Sequence, residues 1–186
     1  RRAHAEHGVG RDGGRRGMKG VWVGAALILA LVCQTTLVPE VGGAGAPVDL
    51  VLVVVISVAI TGGPLAGMWT GAVGGLLQDS LSGGVIGVGG LVKTLVGHAS
   101  GQVGAYFMVT RSWHQFLVFF FGSVAHAGCF IGIYSLLSTT KPMSSYRAVL
   151  IQAAINAVLG VIMAIGLQVA PSVLARRRLR RRWPTR

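Results

Sequence analysis

Between Gly63 and Gly104 the chain holds 13 glycines in 42 residues and only two charges, Asp79 and Lys93. Gly63, Gly67, Gly71 and Gly75 recur every fourth residue, and the run closes on Gln78-Asp79-Ser80-Leu81-Ser82-Gly83-Gly84. In water such a ladder is a poor helix, each glycine costing roughly 1 kcal/mol against alanine. In a bilayer the backbone has to satisfy its own hydrogen bonds, so helix is the state left open to it. Glycines four apart then strip one face bare and admit a second helix backbone at close range. The feature predicts a membrane helix built to be packed against.

The rest of the chain supports that solvent. Charged residues are 12% of the total and mean hydropathy is +0.66, where a soluble domain carries about 25% charged residues. Uncharged stretches run over 20–39, 50–78, 94–110, 112–140 and 148–175, against the roughly 20 apolar residues that cross a bilayer as helix. The pattern predicts an all-α integral membrane protein, one bundle of about six transmembrane helices. They are expected near 21–38, 47–61, 64–79, 86–109, 115–138 and 147–171. Pro39, Gly42-Gly43 and Pro47 mark the first turn, and Gly62-Gly63-Pro64 the second. The second and third helices are short for a span, so two readings stand: two spans in locally thinned bilayer, or one re-entrant hairpin. Residues 1–17 lack apolar periodicity and are expected to be a disordered basic extension, with 18–175 the membrane domain and 176–186 a basic tail. Val21 to Val38 is read as a retained span, its apolar run being longer than a signal peptide's.

Basic residues set the orientation. Of the 17 Lys and Arg, 14 lie at the two ends or at Arg111, the side that six crossings make common. Both termini are therefore expected in the cytoplasm. The net charge of +12 thus flanks apolar spans as a topology signal, and nucleic acid is set aside as a partner. The tail from Arg176 to Arg186 also suits anionic lipid headgroups of the bilayer. Cys33 and Cys129 fall in apolar stretches and read as two buried thiols.

No constellation for chemistry stands out. Gly83-Gly84 and Gly87-Val88-Gly89 lack the strand and the Gly-Lys-Ser/Thr of a phosphate loop. His98 and His126 stand on different helices without a nearby carboxylate, as hydrogen-bonded bundle residues rather than metal ligands. Trp22, Trp69 and Trp113 suit interface anchoring or packing. No catalytic residue, metal or cofactor is expected.

Asp79 is the residue that asks for a reason, since a carboxylate at a helix C-terminus opposes the dipole. It can fix the following turn through the N–H of Leu81 or Ser82, or pair with Lys93. It can also bind a transported ion or substrate. Lys93 shares its helix face with Gly89, Gly97 and Gly101, a second stripe. Asn156, ahead of Gly160 and Ala164, reads as interhelical glue. Gly63, Gly67, Gly71, Gly75, Gly97 and Gly101 are thus the expected helix-packing or partner interface.

The run from Gly74 to Gly87 strongly resembles the signature of the rod-shape-determining MreD family, in which a helix ends in Asp and a Ser-Gly turn follows. Asp79, Ser82, Gly83, Gly84 and Gly87 are its residues here. Gln34-Thr35-Thr36-Leu37-Val38-Pro39 and Pro47-Val48-Asp49-Leu50 also match, and the resemblance spans about 18–171. It implies a non-catalytic, multi-pass inner-membrane scaffold of the bacterial cell-elongation machinery. Its implied partners are the bitopic protein MreC and, in a larger complex, RodA and a penicillin-binding transpeptidase. The alternative is the substrate-binding subunit of an energy-coupling-factor vitamin transporter, to whose six-helix fold the family is thought similar. Such a site needs polar or aromatic groups at the outer loops, where this chain offers few beyond Asp79, Lys93 and Tyr146.

Overall fold

The computed structural model describes residues 9–37, 48–83, 85–106, 111–137 and 146–182, with side chains placed over 20–36, 48–83, 85–106, 111–137 and 146–167. All of the regular structure among them is helical. The helices are α1 (Val9–Val32, continued by a π-helical turn, Cys33–Leu37), α2 (Leu50–Gly62), α3 (Pro64–Ser82), α4 (Val88–Tyr106), α5 (Ser112–Leu137) and α6 (Tyr146–Arg182). The expected order of helices is therefore present, and the first and last helices run further than the expected spans. The first helix begins upstream of Met18, inside the stretch expected to be disordered. Elongation adds one hydrogen bond per residue once an apolar helix exists, so the polar residues ahead of it join the helix. The last helix continues through most of the basic tail. Residues 1–8 and 183–186 lie outside the described residues, as do Pro39, Gly42, Gly43, Pro47, Gly84 and Lys141.

At the centre stands α2. Its sequence, LVLVVVISVAITG, is apolar on every side, as a helix with no solvent face should be. Val51, Val55, Ile56 and Ala59 are fully enclosed, and α1, α3, α4, α5 and α6 all touch it. Two apolar clusters form around it. Leu52, Ile56, Val92, Val96 and Phe119 make one, and Leu27, Leu31, Val51 and Val55 the other. At 13 residues it is about 20 Å long, too short for a hydrocarbon core of about 30 Å. Being wrapped by neighbours is what makes that length acceptable.

The glycine stripes meet one another. A Cβ on Gly67 would collide with the carbonyl of Gly97, one on Gly71 with the carbonyl of Lys93, and one on Gly75 with the backbone of Gly90. Gly97 in turn faces Gly67, and Gly101 faces Gly63 and Pro64. So α3 and α4 lie backbone against backbone through these glycines. Gly63, at a φ of +89°, also turns the chain from α2 into α3.

Outside, the molecule is greasy. Trp22, Leu29, Leu65, Trp69, Ile86, Phe121 and Ile162 are strongly exposed, while Asp49, Lys93, Gln115, His126 and Asn156 are buried. A soluble monomer rarely exposes so large an apolar surface, and this exterior suits lipid. By length and composition Ser112–Leu137 and Tyr146–Leu167 are sufficient to cross a membrane, and Gly20–Thr36 and Leu50–Gly62 are shorter apolar helices. The cysteines correct the expectation of burial. Cys33 is half-buried and Cys129 exposed, because an apolar side chain on a bundle in lipid need not face the protein core.

Packing of this kind predicts asymmetric tolerance. Gly71→Ala should lower the melting temperature of the detergent-purified protein sharply, by an overpacking cost of about 1–3 kcal/mol or more. Gly132→Ala, where a Cβ meets nothing within 4 Å, should leave it unchanged or raise it slightly. Equal responses at the two glycines would contradict the close α3–α4 approach.

Candidate functional site

A helix starting inside a protein leaves its first N–H groups without partners, and at the start of α2 the acceptors are side chains. Gln34, in the π-helical turn after α1, accepts from Leu50 N at 3.0 Å and Val51 N at 3.4 Å. Asp49, the N-cap, accepts from Leu52 N through Oδ1 at 2.9 Å. The N–H of Asp49 itself donates to Asn156 Oδ1 on α6 at 3.1 Å. Asn156 is fully enclosed, and its Nδ2 donates to Ser123 Oγ on α5 at 3.2 Å.

The carboxylate of Asp49 carries a full charge into this interior. Lys93 of α4 neutralises it, with Nζ 2.7 Å from Asp49 Oδ2. The same Nζ stands 3.1 Å from His126 Nε2 on α5. His126 thus accepts from the ammonium and is neutral in this arrangement. Asp49, Lys93 and His126 are all under a tenth exposed. The cluster therefore ties α1, α2, α4, α5 and α6 at one point.

The expected partner of Lys93 is Asp79, and the structure pairs it with Asp49 instead. Asp79 is turned instead to the start of α4. Its Oδ2 accepts from Gly87 N at 2.9 Å and Gly90 N at 3.1 Å, at the start of α4. Nor does Asp79 use the N–H groups of Leu81 or Ser82. Those residues are still within α3, which ends at Ser82, with Gly83 left-handed at φ +65°. The conflict with the α3 dipole is thereby resolved: the carboxylate serves the positive N-terminal end of α4. Gly87, at φ +101°, makes the turn that presents its N–H. Ser82 Oγ donates to the Gln78 carbonyl at 2.8 Å, and Tyr134 OH on α5 accepts from Val85 N at 3.0 Å.

Asp79, Lys93 and Asn156 stand out in the sequence as polar residues at membrane depth. Asp49, Gln34 and His126 do not stand out there as parts of one site. A signal for Asp49 exists: Asp directly before an apolar run is an N-cap pattern.

The assembled features define a class: a small helical membrane protein with an apolar core, glycine-lined helix contacts and a few buried polar groups, in which the buried pair of Asp49 and Lys93 is structural in position. The family model of the rod shape-determining protein MreD matches residues 16–169. The chain belongs to the MreD family, and with that to the proteins of bacterial rod-shape determination. Comparison with curated proteins yields no match, and comparison with solved structures yields none. The transporter-subunit alternative draws no support from these comparisons.

Breaking the pair on one side should be worse than removing it. Lys93→Met leaves Asp49 charged and buried, which typically costs about 3–5 kcal/mol. Adding Asp49→Asn removes that charge and keeps an oxygen to cap Leu52. The double variant should therefore melt above Lys93→Met alone. Additive losses in the cycle would show the two side chains to be energetically independent.

Proposed function

We propose that the protein is a non-catalytic scaffold of the cell-elongation machinery, which holds an MreC-like bitopic protein and so helps position RodA and its penicillin-binding transpeptidase. The observation that carries this reading is the match to the rod shape-determining family over residues 16–169, which takes in α2 to α5 whole and most of α1 and α6. Two structural facts support it. Strong interior polar groups are engaged in joining helices, Asp49 with Lys93 and Asn156 with Ser123. The α3 and α4 glycine stripes fill each other, so a partner's transmembrane helix docks on the apolar exterior and works by assembly without turnover.

In this reading the six helices each cross the inner membrane, with both termini in the cytoplasm as the basic residues direct. The α3–α4 turn, with Asp79 and Ser82, then faces the side where the cell wall is built.

Three experiments test it. Tagged protein extracted from membranes should recover an MreC-like protein, and cysteine labelling should reach Ser82 from outside while the termini are reached only from within. Asp79→Asn, which weakens the start of α4, should lower abundance and partner recovery together without any defect in small-molecule uptake. A well-folded protein that recovers no MreC-like partner, or termini on opposite sides, would overturn the reading.

A further inference from the structure

Beside the ion pair lies a cavity that scaffolding does not call for. It encloses about 290 Å³ at the end of the bundle where α3 finishes and α4 and α6 begin, close to the lower bound of about 300 Å³ for ligand pockets. Its lining includes Gln78 and Asp79 from α3, Lys93 from α4, and His126, Phe130 and Tyr134 from α5.

Three independent properties ask for the same chemistry. The first is charge. Asp49 and Asp79 are acidic, Lys93 is basic and His126 is neutral as an acceptor from Lys93, so the lining carries one net negative charge. Arg147 at the same end is exposed and does not line the cavity. The second is unmet acceptors. Gln78 Oε1 is buried with no hydrogen-bond partner among the described residues, and a buried orphan of this kind is costly unless something donates to it. Among the described residues both hydrogen bonds to Asp79 fall on Oδ2, which leaves Oδ1 to receive. The third is aromatic surface. His126, Phe130 and Tyr134 succeed one another a helical turn apart, with ring centroids 5.9 Å and 4.7 Å apart, and aromatic faces attract cations.

We propose that this cavity binds a primary ammonium group, Gln78 Oε1 and Asp79 Oδ1 accepting its N–H groups and Phe130 and Tyr134 supplying the aromatic surface. Lys93 is neutralised by Asp49 at 2.7 Å and so does not repel such a ligand as a free charge. An aminophospholipid headgroup and a soluble amine share this chemistry.

The full-length protein distinguishes the two sources. In one arm it is placed in nanodiscs containing phosphatidylethanolamine, phosphatidylcholine or phosphatidylglycerol, and lipid retained after release is read by native mass spectrometry. In the other it is titrated in detergent with free ethanolamine, and the melting temperature is followed. The expected result is phosphatidylethanolamine retained at least tenfold over the other two lipids, or saturable stabilisation by free ethanolamine. The responding arm names the source. Gln78→Leu and Phe130→Leu, which spare the ion pair and the hydrogen bonds of Asp79, should weaken binding at least tenfold, and Gln78→Glu should tighten it. Silence in both arms, equal retention of phosphatidylcholine, or binding unaffected in folded Gln78→Leu and Phe130→Leu would overturn the proposal.

Discussion

The N-terminus of α2 is the point on which the bundle depends. Membrane proteins gain little by burying apolar surface against apolar lipid, so what fixes their helices is close packing and polar contact. Here a short helix, apolar on all sides, is drawn into the centre, and its first turn arrives with N–H groups shut away from water. Gln34, Asp49 and Asn156 supply the acceptors. The choice of a carboxylate then imposes the next step, because a charge so deep needs its opposite. Lys93 follows from Asp49, and His126 follows from Lys93 as the acceptor for a second ammonium N–H. Each polar residue is there because the previous one needs it.

The glycines make that arrangement geometrically possible. Lys93 lies on the α4 face whose carbonyl meets Gly71 of α3. A side chain at Gly71 would press on the backbone of Lys93 itself, the residue that makes the ion pair with Asp49. Asp79 closes the same unit from the other end by capping the first turn of α4. Glycine stripe, capping carboxylate and ion pair are thus one device, which sets the register of α4 against both α2 and α3.

Much of this is legible in the sequence and some is not, for identifiable reasons. The four-residue spacing of Gly67, Gly71 and Gly75 announces a bare face, and the identical spacing of Gly97 and Gly101 announces a second. That the two faces meet each other depends on the tight turn through Gly83 and Gly87. For Lys93, proximity along the chain favours Asp79 and misleads. In the fold Lys93 meets Asp49 at the start of α2, 44 positions away in the chain, while Asp79 is turned to the start of α4. Asp49 is visible as an N-cap. Its need for a counter-charge is not, since the sequence does not say that α2 is the helix at the centre. Cys129 shows the same limit: apolar surroundings in the sequence do not distinguish core from lipid.

A cavity beside the ion pair has a further meaning. Gln78 and Asp79 precede the turn that Tyr134 ties to α5, and Asp79 both lines the cavity and caps α4. A ligand that draws on Asp79 Oδ1 therefore acts on a carboxylate whose other oxygen holds the first turn of α4. Its occupancy would stiffen the α3–α4 turn without moving either helix, because the backbone contacts between them leave no room. The bundle stays fixed, while the turn through Gly83 and Gly87 is held in one conformation.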